Sequence, residues 1–205
     1  MKASSRFSAM EKRVLGNGHH IFLGMLPEAL RVQGDDFEKL WNLHPGEHPV
    51  IRMHGKSVAI PRWQLAYARD YHFSGTTSRA LPIPSTVEPL LEWARANIDD
   101  RLDGVLANWY DAALGHYIGR HRDNRRGLVV GSPIVTLSFG EERTMRFRPW
   151  RGQGFVDIPG AHGAVIVIPY ATNLSWTHEV PRTKLARGRR ISLTLRAFDR
   201  GPKSP

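Results

Sequence analysis

The chain has 205 residues, 29 Lys and Arg against 19 Asp and Glu, a formal charge of +10, and no cysteine. This length suits one sizeable domain, and the 41% hydrophobic content is enough to bury a core, which excludes a disordered or collagen-like chain. Lack of cysteine excludes a disulfide framework, a thiolate zinc site, an iron–sulfur cluster and a cysteine nucleophile. Any metal must sit on histidine and carboxylate ligands, and the positive charge favours a polyanionic partner, either nucleic acid or an anionic membrane face.

The start, Met1 to Arg13, is polar and basic and lacks the apolar run of a signal peptide. No window reaches the eighteen or so apolar residues of a membrane-crossing helix. The expectation is an intracellular protein without a membrane partner, in the cytoplasm or nucleoid of a bacterium or the nucleus of a eukaryote, with its first dozen residues frayed. Asp35 and Asp36 predict a capped helix over 37–43. Ser85 and Glu88 have capping-box spacing ahead of Val87, Leu90, Leu91, Ala94 and Ile98, which recur with helical period, and Pro89 is tolerable in a first turn.

From Val105 onward the period drops to two. Val135, Leu137 and Phe139 alternate with Thr136 and Ser138, and Met145 and Phe147 with Arg146 and Arg148, as in half-buried strands. Further strands are expected over 155–158, 164–168, 174–179 and 190–197, between Gly, Pro and Asn turn signals. Many short strands without intervening helices predict a mainly β fold with flanking helices (α+β), an antiparallel sandwich or jelly roll. One domain over 1–205 is expected, with a differentiated N-terminal part over about 1–85, a core over about 105–198 and a tail over 199–205.

Gly119-Arg120-His121-Arg122-Asp123 is the strongest metal signal among ten histidines. In a strand, residues i and i+2 share a face, so His121 and Asp123 can offer a nitrogen and an oxygen to one ion, and His178, on a later strand, can supply a third ligand. Two histidines and one carboxylate leave the opposite coordination positions open, as non-haem Fe(II) requires when it binds a co-substrate and oxygen together. Taken alone, His-x-Asp around an arginine also suits a solvated stretch. Arg190-Ile-Ser-Leu-Thr-Leu-Arg196 puts Ile191, Leu193 and Leu195 on one face and Arg190, Ser192, Thr194 and Arg196 on the other, either as an anion site or as a solvated polar face. The two arginines are about 20 Å apart along a straight strand, so sharing one small diacid requires a strongly coiled one. Asn108 and Tyr110 share a face just upstream and can hydrogen-bond carboxylate or carbonyl oxygens. His116 lacks a carboxylate at i+2 and His162 sits beside Gly163, so both are read as structural.

The order Asn-x-Tyr, His-x-Asp, distal His and Arg-x5-Arg resembles the AlkB family of 2-oxoglutarate and Fe(II)-dependent dioxygenases, closest to its duplex-DNA repair branch. The phrases Ile60-Pro-Arg-Trp-Gln, Phe73-Ser-Gly, Ser132-Pro-Ile-Val-Thr-Leu-Ser-Phe-Gly and His162-Gly extend the resemblance from about Val50 to Phe198. It implies a double-stranded β-helix core with an N-terminal nucleotide-recognition lid. It implies Fe(II) on His121, Asp123 and His178, with O2 as oxidant. It also implies 2-oxoglutarate on Asn108, Tyr110, Arg190 and Arg196, with a lesser part for Thr194. The implied function is oxidative demethylation of bases such as 1-methyladenine and 3-methylcytosine in DNA repair, by a monomer acting on DNA rather than RNA. Alternatives are an RNA demethylase, a hydroxylase of another substrate with the same iron apparatus, or an inactive nucleic-acid-binding module.

For the substrate, Tyr71 and Phe73 match the wall on which an extruded base stacks, with His121 opposite. Met53-His54-Gly55-Lys56 matches a hairpin that wedges into duplex DNA, though as residues these also suit an ordinary turn. After His-x-Asp, where the duplex-acting relative has an acidic run, this chain reads Asn124-Arg125-Arg126-Gly127. Asn124 can meet a base edge, while Arg125, Arg126 and the basic stretch Arg182, Lys184, Arg187 and Arg189 suit phosphates or solvent.

Overall fold

The computed structural model describes residues 10–53, 55–125 and 127–199. Its N-terminal third is mostly extended: β1 (Glu11–Gly16) and β2 (His19–Met25) form a hairpin, followed by α1 (Gly34–Trp41). Then come β3 (Val50–Met53), β4 (Lys56–Ala59), β5 (Trp63–Tyr67), β6 (Tyr71–Phe73), β7 (Thr76–Ser78), β8 (Ala80–Leu81) and α2 (Glu88–Asn97). The remainder is β9 (Gly104–Asp111), β10 (Ile118–His121), β11 (Ile134–Gly140), β12 (Arg143–Pro149), β13 (Val156–Gly160), β14 (Ala164–Ile168), α3 (Tyr170–Ser175), β15 (Trp176–Val180) and β16 (Arg189–Arg196).

Two sheets face one another. The major sheet runs β1-β2-β14-β11-β16-β9-β5-β8 and the minor sheet β10-β15-β12-β13, with β3–β4 and β6–β7 as separate hairpins. Period-two patterning places the core. Val135, Leu137, Phe139, Ile191, Leu193 and Leu195 turn one way from the major sheet and pack with Leu40, Trp41, Leu90, Leu91 and Ala94 of the two long helices. The opposite faces of the same strands carry Asn108, Tyr110, Thr136, Ser138, Arg190, Ser192, Thr194 and Arg196, which line a cavity between the sheets or lie buried beside it. Met145, Phe147, Ile158, Ile166, Ile168 and Trp176 close the other end of the sandwich.

The elements differ from expectation in instructive places. The first helix begins at Gly34, so Asp35 and Asp36 lie in its first turn, where they favour the positive end of the helix dipole, and neither side chain caps it. Ser85 does not cap α2 either; Pro89 sits in its first turn as expected. Leu174 and Ser175 belong to α3, and the strand starts at Trp176. The β1–β2 hairpin adds two strands to the major sheet where none was expected. Its turn, Asn17 and Gly18, has φ of 53° and 77°, the left-handed pair that matches the twist of a two-residue hairpin.

Behind the sheet, Trp63 is boxed by histidines. The His44 ring stacks on it at 4.1 Å, and the His116 ring meets it edge-on at 4.8 Å. His48 lies 4.8 Å from His116, which is buried and accepts the Asp111 N–H on Nδ1. His116 therefore serves packing, as its sequence context suggested. Burial, then the nearby His48, lower its pKa to about 4, while Asp111 opposes the shift and Arg143 reinforces it. The unfolded chain takes up this proton near pH 6.5 and the folded one only near 4, so the stabilisation is complete above pH 6.5 and fades as pH falls to about 4. Urea unfolding of wild type and His116→Asn should therefore show a stability gap that shrinks by on the order of 2 kcal/mol between pH 7 and pH 4. A constant gap would contradict this.

Candidate active site

The major sheet's polar face and the minor sheet enclose a cavity of about 240 Å³. His121 ends β10 and His178 lies on β15, directly opposite in register, with ring centroids 4.3 Å apart. Asp123 follows two residues after His121, and its Oδ1 is 3.9 Å from His121 Nε2. One ligand atom from each of the three lies within 4.8 Å of the others, the one such cluster among the described residues. His121 Nδ1 is 2.8 Å from the Gly119 carbonyl. A carbonyl can only accept, so Nδ1 carries the proton and the Nε2 lone pair faces Asp123. Burial, followed by the neighbouring His121, lowers His178 to about 3, and desolvation lowers His121 as well. Both imidazoles are therefore neutral near pH 7. Burial works against the charge of Asp123, but the Arg196 guanidinium beside it prevails and holds its carboxyl down to about 2, so it is ionised. Two neutral imidazoles and one carboxylate are the protonation states that a divalent metal requires.

Asp123 is fixed on three sides. Arg196 donates to Oδ2 from Nε at 3.0 Å and Nη2 at 2.8 Å, and the Tyr71 hydroxyl donates to Oδ1 at 3.3 Å. From α3, the Asn173 amide clamps the Asp123 backbone, accepting its N–H at 3.0 Å and donating to its carbonyl at 3.1 Å. Sequence reasoning missed Asn173; the nearest signal was its place five residues before His178.

Arg190 is only 1% exposed. Its Nη2 donates to the Ser138 hydroxyl at 2.8 Å, and its guanidinium lies 5.1 Å from the Tyr110 ring centroid. Nε and Nη1 are buried and have no hydrogen-bond partner among the described residues. A buried cation with two unused donors is costly unless an anion completes it, and a guanidinium fork matches a carboxylate. Nearby, Gly160 packs against the Arg143 backbone: a Cβ there would lie 2.8 Å from the Arg143 carbonyl, and in ordinary contact with Arg190 Nη2 at 3.5 Å. The two arginines of β16 thus share the cavity without sharing a partner. Arg196 neutralises Asp123, while Arg190 presents free donors.

Strand β6 supplies the outer wall. The Tyr71 and Phe73 rings stack at 5.7 Å, and both line the cavity with Ile51, Arg122 and Asn124. Lys56, at the start of β4, is exposed, and Gly55 has a φ of 77° in the hairpin turn. His54 and Arg126 lie outside the described residues, as does the Met53 side chain. His162 accepts the Gly140 N–H on Nδ1 at 3.2 Å, a structural role.

A three-residue metal cluster and an unsatisfied buried guanidinium facing one cavity agree with what a comparison of sequences finds, a match over residues 29–196 to the 2OG-Fe(II) oxygenase superfamily. The chain belongs to that superfamily. Membership implies Fe(II), 2-oxoglutarate and O2, and the donor set fits the metal and the dicarboxylate. The chain is 32% identical over 172 residues to the human DNA oxidative demethylase ALKBH2, spanning 78% of this chain and 66% of that protein. The bovine protein of the same name is 31% identical over 172 residues, 62% of its length. Rat alpha-ketoglutarate-dependent dioxygenase alkB homolog 3 is 29% identical over 132 residues, 60% of this chain and 43% of that protein. The chain thus spans just under two thirds of the length of the ALKBH2 proteins it matches. The solved structure of OsALKBH1 superposes with a TM-score of 0.59 over 92% of this chain and 100% of its own, at 14% identity, a likeness of fold.

Removing one partner of the buried Asp123–Arg196 pair leaves a charge unpaired. Asp123→Ala should therefore cost about 3 kcal/mol of stability in the metal-free protein and also abolish Mn(II) binding. His121→Ala, at a partly exposed position, should lose Mn(II) binding with a stability cost below about 1 kcal/mol. Urea unfolding and calorimetry check both; equal stability losses would contradict the assignment of Arg196 to Asp123.

Proposed function

We propose that this chain is a 2-oxoglutarate- and Fe(II)-dependent dioxygenase that removes alkyl groups oxidatively from nucleic-acid bases, with N-methylated bases in DNA such as 1-methyladenine and 3-methylcytosine as substrates and repair as the purpose. The observation that carries the reading is a single cavity whose floor holds a His–Asp–His cluster and an anion-seeking arginine and whose wall is a pair of stacked aromatic rings. The resemblance to relatives named as DNA oxidative demethylases supports it.

The residues divide the work. His121 Nε2, Asp123 and His178 would hold the iron, which with 2-oxoglutarate and O2 supplies oxidation of an unactivated C–H bond. Arg190 Nε and Nη1 would take the distal carboxylate of the co-substrate, with Asn108, Tyr110 and Thr194 around it. Tyr71 and Phe73 would stack an extruded base, and Asn124 would meet its edge. Once one oxygen atom enters the N-methyl C–H bond, the hemiaminal N–C bond breaks to give formaldehyde and the free base. The other oxygen atom leaves in succinate, with carbon dioxide.

The surface beside the cavity suits a polyanion. Arg122, which lines the cavity, stacks 3.8 Å over the exposed Trp150, a cation held on a ring of the kind that single strands of nucleic acid use. The reading is of a monomer acting in a compartment that holds nucleic acid.

A panel of methylated DNA and RNA oligonucleotides, incubated with Fe(II) and 2-oxoglutarate, should show methyl loss from DNA matched by formaldehyde and succinate. Methyl loss from RNA alone would move the substrate class, and succinate without methyl loss from any oligonucleotide would overturn the reading. Phe73→Ala should raise KM for the oligonucleotide about tenfold and leave KM for 2-oxoglutarate unchanged; the reverse pattern would place Phe73 elsewhere.

A further inference from the structure

We infer that Arg62 and Gln64, which come from the N-terminal segment, belong to the co-substrate end of the cavity. Arg62 is a positioning residue that turns the Asn108 amide toward the bound anion, and Gln64 is a further donor to that anion. This rests on the cavity being the 2-oxoglutarate site.

Four strands place polar residues in one row. Gln64 on β5 pairs in register with Asn108 on β9, Asn108 with Ser192 on β16, and Ser192 with Ser138 on β11. Residues in register on neighbouring strands share a face, so the row runs across the cavity floor to the hydroxyl that Arg190 grips. At the other end stands Arg62, 8% exposed, whose Nε donates to Asn108 Oδ1 at 2.8 Å and whose Nη2 donates to Gln64 Oε1 at 2.9 Å.

A guanidinium only donates. Both amide oxygens are therefore committed to Arg62, and both amide NH2 groups must point away from it. Gln64 Nε2 is buried with no partner among the described residues, the same condition as Arg190 Nε and Nη1. Gln64, Asn108 and Arg190 all line one cavity. Unpartnered buried donors are rare in folded proteins and call for an acceptor. Here they come from separate strands, β5 and β16, and both face the cavity that would hold the anion. Arg62 fixes the orientation of the row without needing to touch the ligand.

Two variants separate this from simple bracing of the lid. Gln64→Glu keeps the acceptor for Arg62 Nη2 and removes the free donor, while Arg62→Ala frees the Asn108 amide to rotate. Calorimetric titration of the Mn(II)-loaded protein with 2-oxoglutarate should show binding weakened about tenfold or more in each variant. Mn(II) affinity, the thermal midpoint of the Gln64→Glu variant and KM for the oligonucleotide should stay within twofold or a few degrees of wild type. Wild-type 2-oxoglutarate affinity retained in folded Gln64→Glu and Arg62→Ala would overturn the inference. A wild-type protein that binds no 2-oxoglutarate would instead overturn the reading of the cavity on which it rests.

Discussion

The architecture turns on one strand that buries two cations. β16 sits in the middle of the major sheet, with Ile191, Leu193 and Leu195 sunk in hydrocarbon on one side and Arg190 and Arg196 sealed beneath the minor sheet on the other. A buried guanidinium must have its donors met, by an opposite charge or by hydrogen-bond acceptors. Arg196 has one in Asp123, and that pairing pins a metal ligand in its ionised form at a fixed place. Arg190 has the Ser138 hydroxyl and the Tyr110 side chain, neither of them a carboxylate, and its Nε and Nη1 donors face the cavity. The metal cluster and the anion site are thus two consequences of one strand's alternation.

The surrounding elements serve that cavity. Helices α1 and α2 cover the aliphatic face, so that the polar face can remain open between the sheets. The short helix α3 holds the Asp123 backbone through Asn173 before the chain enters β15 and delivers His178. Strand β6 walls the outer end with Tyr71 and Phe73, and Tyr71 also reaches Asp123 with its hydroxyl. The group that would stack the base therefore touches the residue that would hold the iron.

Much of this was legible in the sequence because strand periodicity is local. The alternation in 190–196, the i, i+2 spacing of His121 and Asp123, and the Asn108/Tyr110 pair each announce a shared face, and the structure turns those faces inward. Partner choice is not local. Nothing in the spacing tells Arg196, which finds Asp123 73 residues away, from Arg190, which finds Ser138; only the closure of the two sheets decides it. Arg62 and Gln64 escaped for the same reason, since their meaning comes from a strand register across 46 residues. The β1–β2 hairpin was missed although Asn17-Gly18 marks its turn. Its strands carry exposed Val14 and half-exposed histidines, so their alternation is blurred.

The most direct test is a crystal structure of the protein with Mn(II) and 2-oxoglutarate. The account predicts the metal on His121 Nε2, Asp123 and His178, with the distal carboxylate of the co-substrate on Arg190 Nε and Nη1. A metal bound away from these three residues, or a co-substrate that leaves Arg190 uncontacted, would contradict it.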